Sequence, residues 1–233
     1  RGFDLDGRPP LMRASLIALA LLVVGGCADD VDRALTNETA VVVEVSGCRN
    51  LLEYGGGSFI APDRVLTSAH VVAGAKGIEV WNGDARWSAE VAAFDPELDL
   101  AVLAVDGASQ PFSALPDEPS RVPRGSSGVV MLRRDDTLVP ITVEMVRRVE
   151  ILTEDIYREG ETRRPGYEVR AEIRPGDSGA VVTVSGVPTA VLWSRSRNEG
   201  TRAWAIDPVR GGGTIGAQLK AGVVPVDNGR CRP

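Results

Sequence analysis

The feature that most constrains this chain is a succession of short, β-branched apolar runs, each closed off by a turn signal and none carrying a helical period. Val41 to Val45, Gly56 to Ile60, Arg64 to Thr67, Ile78 to Trp81, Trp87 to Phe94 and Leu100 to Val105 read as strands, with Pro62-Asp63 and Asn82-Gly83 among the turns between them. Closely spaced short strands of this kind hide their edges by closing into a barrel. The stretch from Asp106 to Gly125 then carries Pro111, Pro116, Pro119 and Pro123 and no periodicity, as a crossing segment does. A second series follows: Gly128 to Leu132, Leu138 to Arg147, Val149 to Ile156, Tyr167 to Ile173, Ala180 to Val184, Thr189 to Ser194 and Arg202 to Ile206. At 233 residues and 43% hydrophobic composition the chain has the length and apolar content for two barrels sharing an interface. The charged stretch Glu159 to Gly166 reads as a mobile loop, and Asp207-Pro208-Val209 opens a short helix with proline at its first position.

A net charge of −6 argues against nucleic acid as the main partner, which would demand a basic footprint. The pairs Arg133-Arg134, Arg147-Arg148 and Arg163-Arg164 read as solvated strand and loop faces. Near the start, Met12-Arg13 precedes an apolar run from Ala14 to Val24, too short to span a bilayer and suited to the core of a signal peptide. Val24-Gly25-Gly26-Cys27 has the form of a bacterial lipobox, in which Cys27 becomes lipidated; plain secretion and an uncleaved anchor are the alternatives. The resulting organisation is 1–27 signal peptide with lipobox, 28–38 tether, 39–110 first barrel, 111–126 linker, 127–210 second barrel and 211–233 tail.

Against this frame stands a polar turn, Arg174-Pro175-Gly176-Asp177-Ser178-Gly179-Ala180, leading straight into an apolar run. A nucleophilic serine needs such a turn, because backbone N–H groups must point at the oxyanion formed when it attacks a carbonyl. On that reading Ser178 is the nucleophile and the N–H groups of Gly176 and Ser178 form the oxyanion hole; an ordinary Gly, Asp and Ser turn is the plain alternative. The single histidine, His70, ends an apolar run at a short polar turn and is the available base, although a lone histidine is more often structural. Asp99 stands at the mouth of the strand Leu100 to Val105, where it can orient that base or simply be solvated. One histidine and scattered cysteines are too few ligands for a zinc site, so neither metal nor cofactor is expected.

The order His70, Asp99, Ser178, together with the segment Gly57 to Ala75 and the Gly-Asp-Ser-Gly turn, resembles the trypsin-like serine proteases, and among them the HtrA- and MarP-type proteases of the bacterial envelope. The resemblance covers roughly Thr39 to Val209. It implies two six-stranded antiparallel Greek-key β-barrels with the active site in the cleft between them, and an endopeptidase acting on protein or peptide substrates. It also implies export to the cell envelope or periplasm, with the membrane reached through the lipid on Cys27. Glu172, six residues before Ser178, falls at the position of the pocket base, which would favour Arg or Lys before the scissile bond. If Arg195, after Trp193, occupies that pocket instead, small or apolar residues are favoured. With Cys27 lipidated, Cys48 and Cys231 remain in an oxidising compartment, and their placement resembles the long-range disulfide of MarP-type proteases.

The chain departs from the family pattern in places. Ala180 replaces the usual second glycine, and no zymogen-type N-terminus precedes His70 to pair with Asp177. A catalytically silent scaffolding module of the same fold stays open as the competing class. An esterase on another fold would want Gly-x-Ser-x-Gly on a strand-to-helix elbow, which Gly176 to Ala180 lacks.

Overall fold

The apolar runs pair as antiparallel ladders. The computed structural model describes residues 33, 36–48, 50–211, 215 and 226–233; Cys27, the signal segment and most of the tether lie outside them. The first six strands are β1 (Ala40–Ser46), β2 (Glu53–Ala61), β3 (Arg64–Thr67), β4 (Gly77–Asn82), β5 (Ala85–Asp95) and β6 (Leu100–Val105). They close in the order β1-β2-β3-β6-β5-β4, with β4 returning to β1 along the pairs from Val42–Trp81 to Ser46–Gly77. A single turn of helix, α1 (Ala69–Val72), interrupts the strands between β3 and β4.

The second barrel uses β7 (Ser126–Arg134), β8 (Thr137–Glu154), β9 (Glu161–Arg170), β10 (Val181–Val184), β11 (Val187–Arg195) and β12 (Arg202–Ile206), followed by α2 (Pro208–Gly211). Its order is β10-β11-β12-β9-β8-β7, and it closes through the single pair Thr183–Val129. Two sequence expectations are corrected here. Leu138 to Arg147 and Val149 to Ile156 are one 18-residue strand, β8, because a register shift between Met145 and Arg147 bends the strand without ending its pairing to β9. The stretch Glu161 to Gly166 is not a mobile loop but the first half of β9, where it pairs with the far end of β8. Asp207 caps α2, its Oδ1 accepting the N–H groups of Val209 and Arg210 at 3.1 and 3.0 Å.

Each barrel fills its own interior, and a third cluster joins them. In β6 the residues Ala101, Leu103 and Val105 point into the first barrel, while Leu100 and Val102 point outward to meet Val181, Val191 and Ile206 of the second. A strand buried on both faces has no polar side to show, which is why β6 reads as an uninterrupted apolar run. Burying a Leu or Val side chain stabilises by about 1.5–3 kcal/mol, so this interface cluster holds the barrels in one fixed relation.

Candidate active site

His70 sits in the first turn of α1, whose Ala69 and Val72 are buried in the first barrel and fix the helix against it. Asp99 lies one residue before β6 in the left-handed region, φ 62°, a conformation that aspartate tolerates better than most residues. The preceding turn is tied by Asp95, whose Oδ1 accepts the N–H groups of Glu97 and Leu98 at 3.1 and 2.8 Å. That backbone turns the Asp99 carboxylate onto His70 with both oxygens: Oδ1 accepts the His70 backbone N–H at 2.7 Å and Oδ2 lies 2.7 Å from Nδ1. Burial raises the Asp99 carboxyl, but the charge and hydrogen bond of His70, joined by the Arg164 guanidinium, bring it below the ordinary carboxylate value. An ionised carboxylate at Nδ1 keeps the proton on that nitrogen and leaves Nε2 as the basic one.

Ser178 comes from the second barrel on the turn between β9 and β10. Gly176 and Gly179 have φ of 94° and 91°, and the turn is compact because Gly179 lies where a Cβ would stand 2.4 Å from both the Gly56 carbonyl and Thr67 Oγ1. The N–H groups of Asp177, Gly179 and Ala180 are consumed by the carbonyls of Arg174, Leu192 and Asp177. Those of Gly176 and Ser178 have no internal acceptor among the described residues, so both are free to receive an oxyanion. The Ser178 hydroxyl donates to the Trp193 carbonyl at 3.3 Å, where a register shift between Leu192 and Ser194 turns that residue toward the turn. His70 and Ser178 line one open cleft of about 430 Å³, with Glu53, Tyr54, Arg133 and Arg232 on its walls.

Two arginines whose role the sequence hid complete the site. Arg134 grips the buried Asp177 with both guanidinium ends, Nη1 to Oδ1 at 2.8 Å and Nη2 to Oδ2 at 3.2 Å, and also donates to the Glu172 carbonyl at 3.1 Å. The Asp177 carboxylate also accepts the Arg174 backbone N–H at 2.6 Å, so Arg134 meets it as a cation from within the chain. The second, Arg164, is almost fully buried and faces Asp99 from behind. The sequence reads both as solvated; the pairs Arg133-Arg134 and Arg163-Arg164 carry no local signal that tells the member facing a buried carboxylate from its neighbour.

The specificity residues separate. Trp193 and Arg195 line a pocket of about 240 Å³ that opens onto Ser178, together with Leu192, Ser194 and Arg197. Glu172 is not brought to it: its carboxylate is exposed and held by Arg174 at 2.6 Å, which also lowers its pKa. Ala180 is buried against Gly56, where a Cβ would come within 2.6 Å of its own, so its methyl packs between the barrels and does not narrow the cleft. Cys48 and Cys231 form a disulfide, and the C-terminal segment leads back along α1 through hydrogen bonds from Asn228 Nδ2 to the carbonyls of Val72 and Ala75 at 2.8 and 3.0 Å. Among the described residues no three His, Cys, Asp or Glu side chains stand together as a metal site, and no helix is long and apolar enough to cross a membrane.

Comparison with known proteins matches residues 55–191 to the trypsin-like peptidase domain. The chain belongs to the trypsin-like peptidase family. Within that family it is 32% identical over 189 residues to the serine protease Rv3671c of Mycobacterium tuberculosis, covering 79% of this chain and 46% of that protein. It therefore spans about half the length of the curated relatives it matches. The crystal structure of the Rv3671c protease in its active form superposes with a TM-score of 0.78 at 26% identity, covering 98% of this chain and 100% of that one. The HtrA-type protease AlgW with a bound tripeptide shares the fold, with a TM-score of 0.68 at 20% identity over 83% of this chain and 64% of its own.

Proposed function

We propose that this trypsin-like peptidase is a serine endopeptidase of the bacterial cell envelope that cleaves protein or peptide substrates with His70, Asp99 and Ser178. The observation that carries the reading is the two-point seating of Asp99 on His70 within the cleft that also exposes Ser178. Ser178 Oγ attacks the peptide carbonyl while His70 Nε2 takes its proton, and the resulting imidazolium hands that proton to the leaving amine. Asp99 stabilises the imidazolium, and the Gly176 and Ser178 N–H groups stabilise the tetrahedral oxyanion. Water then repeats the sequence on the acyl-enzyme. The Ser178 hydroxyl is turned to the Trp193 carbonyl, and the hydrogen bond to the base is one that forms when substrate arrives.

Substrate choice follows from the pocket beside Ser178. Its walls carry Arg195 and Arg197, neither of which has an ion-pair partner among the described residues, and no carboxylate lines it. A basic side chain before the scissile bond is repelled there; an acidic one gains charge-assisted hydrogen bonds. Export and lipid anchoring through Cys27 place the enzyme at the membrane surface, supported by the apolar run from Ala14 and the lipobox form of Val24 to Cys27. The deciding experiment is labelling with a fluorophosphonate: the wild type takes up the probe and Ser178→Ala does not. Equal labelling of the two, or none of either, removes the proteolytic reading in favour of a silent scaffold.

A further inference from the structure

The second barrel sends one charged side chain into the first. Arg164, in β9, is 1% exposed and counts among the largest fully buried side chains of the described residues. Its Nε donates to the Glu97 carbonyl at 2.6 Å, Nη2 reaches the Pro96 carbonyl at 3.4 Å, and Nη1 stands 3.8 Å from Asp99 Oδ2. That oxygen is the one that holds His70 Nδ1. The guanidinium plane also stacks 4.9 Å from the ring of Trp193, the residue whose carbonyl accepts the Ser178 hydroxyl. A single guanidinium thus touches the turn that carries the catalytic acid and the strand bulge beside the nucleophile.

A buried guanidinium is costly unless its charge and its N–H groups are met. Here burial lowers the Arg164 pKa and the carboxylates of Asp99, Asp155 and Asp95 work against that, so the charge is retained in the interior. An apolar side chain would fill the same volume between the Trp193 ring and the Pro96 to Asp99 turn without that cost, so packing alone does not account for an arginine here. The geometry points to Arg164 as a positioning residue for the triad: it clamps the Pro96 to Asp99 turn of the first barrel to the second, and so sets where the Asp99 carboxylate, and with it the His70 imidazole, stands relative to Ser178. The docking of the two barrels is thereby sensed at the catalytic acid itself. Lysine cannot substitute, because an ammonium has no rigid fork to meet two carbonyls and a carboxylate at once.

This assignment rests on the proteolytic reading for its kinetic consequence but not for its structural one, and the test uses both. The chain has one histidine, so the downfield Nδ1 proton and the ring nitrogens of His70 are assignable by NMR without ambiguity. In Arg164→Met and Arg164→Lys the Nδ1 proton is expected to move or broaden through exchange, because the Asp99 carboxylate is no longer held; an unchanged resonance in a folded variant overturns the proposal whether or not the protein is active. With active sites titrated by the fluorophosphonate, kcat per site should fall about 10²-fold in Arg164→Met with KM little changed, the scale of loss that a misplaced catalytic group produces. Arg164→Lys should lose about tenfold and remain below wild type. A purely structural arginine would lower the melting temperature and the titratable fraction while leaving kcat per site intact. If Arg164→Met does not fold, Arg164→Lys carries the test alone, and wild-type kcat in that variant ends the idea. A wild type that neither labels nor turns over counts against the proteolytic reading and leaves the NMR result to decide this one.

Discussion

The two barrels share a strand plan but prepare their halves of the site differently. The first barrel closes along a ladder of pairs from β4 to β1, and it holds base and acid together by two bonds of 2.7 Å within itself. The second closes through one pair, Thr183–Val129, and its turn carrying Ser178 is braced by a salt bridge, Arg134 to Asp177. One half-site is therefore built into a continuous ladder, and the other is braced by a side chain. What joins them is the apolar cluster of Leu66, Leu100 and Val102 with Val181, Val191 and Ile206, crossed by polar contacts that include the Gly56 N–H to the Ser178 carbonyl at 2.8 Å, Ser68 Oγ to the Leu192 carbonyl at 3.4 Å, and Arg164 to the Asp99 turn. The difference teaches that the proposed site depends on how the halves dock, since His70 and Asp99 come from one barrel and Ser178 from the other.

The largest expected effect breaks the second barrel's contribution outright. Ser178→Ala should lower turnover by about 10⁶ while shifting stability by no more than about 0.5 kcal/mol, measured by peptide hydrolysis and thermal melting together. Breaking the first barrel's share is next: Asp99→Asn should cost about 10⁴ in kcat, as in the type case of this triad, because the imidazole loses its tautomer. The same variant reads out stability against pH. A carboxyl whose folded pKa is depressed adds stability above its unfolded value of about 4 and gives it up as pH falls through the lower folded value, so denaturation midpoints between pH 5 and pH 2 should be flatter in Asp99→Asn than in wild type. Near-normal turnover in the variant would move the role of acid to another residue.

The brace and the tether sharpen the comparison at the level of stability. Arg134→Met leaves the Asp177 charge buried without its partner and should destabilise by about 3 kcal/mol, with the loss of turnover exceeding the loss of fold because the oxyanion turn relaxes first. Reducing the Cys48–Cys231 bond, which spans 183 residues of sequence, should lower stability by up to about 5 kcal/mol, seen as a drop in melting temperature on adding reductant. Wild-type melting under reductant would mean that the C-terminal segment is held by its hydrogen bonds to α1 alone. The smallest effect concerns the pocket. Peptides with Glu before the scissile bond should be preferred over those with Lys by about tenfold, and Arg195→Gln with Arg197→Gln should erase that preference without touching kcat for an Ala peptide. A library profile favouring Lys would contradict the charge reading of the pocket.

Much of this was legible in order along the chain. The apolar runs with their turn signals specify antiparallel strands locally, because a period of two and a break by Pro, Gly or Asn are properties of neighbours. The polar turn at Gly176 to Gly179 is legible for the same reason: the backbone conformation it needs, with positive φ at both glycines, is available to those residues. Asp99 is legible as the residue at the mouth of β6, but that it meets His70 follows from β6 pairing with β3, which the sequence leaves open. What could not be read was anything whose meaning lies across the molecule. Arg134 and Arg164 look like their neighbours Arg133 and Arg163 until the chain folds, and Glu172 looks like a pocket floor until Arg174 draws it outward. Whether β8 was one strand or two depended on β9 continuing to pair with it past the bulge at Met145. The sequence by itself determined the strands and the turn, since each follows from local backbone chemistry; only the tertiary structure decided which charges are buried and against what, because burial is set by the partner surface and not by the residue.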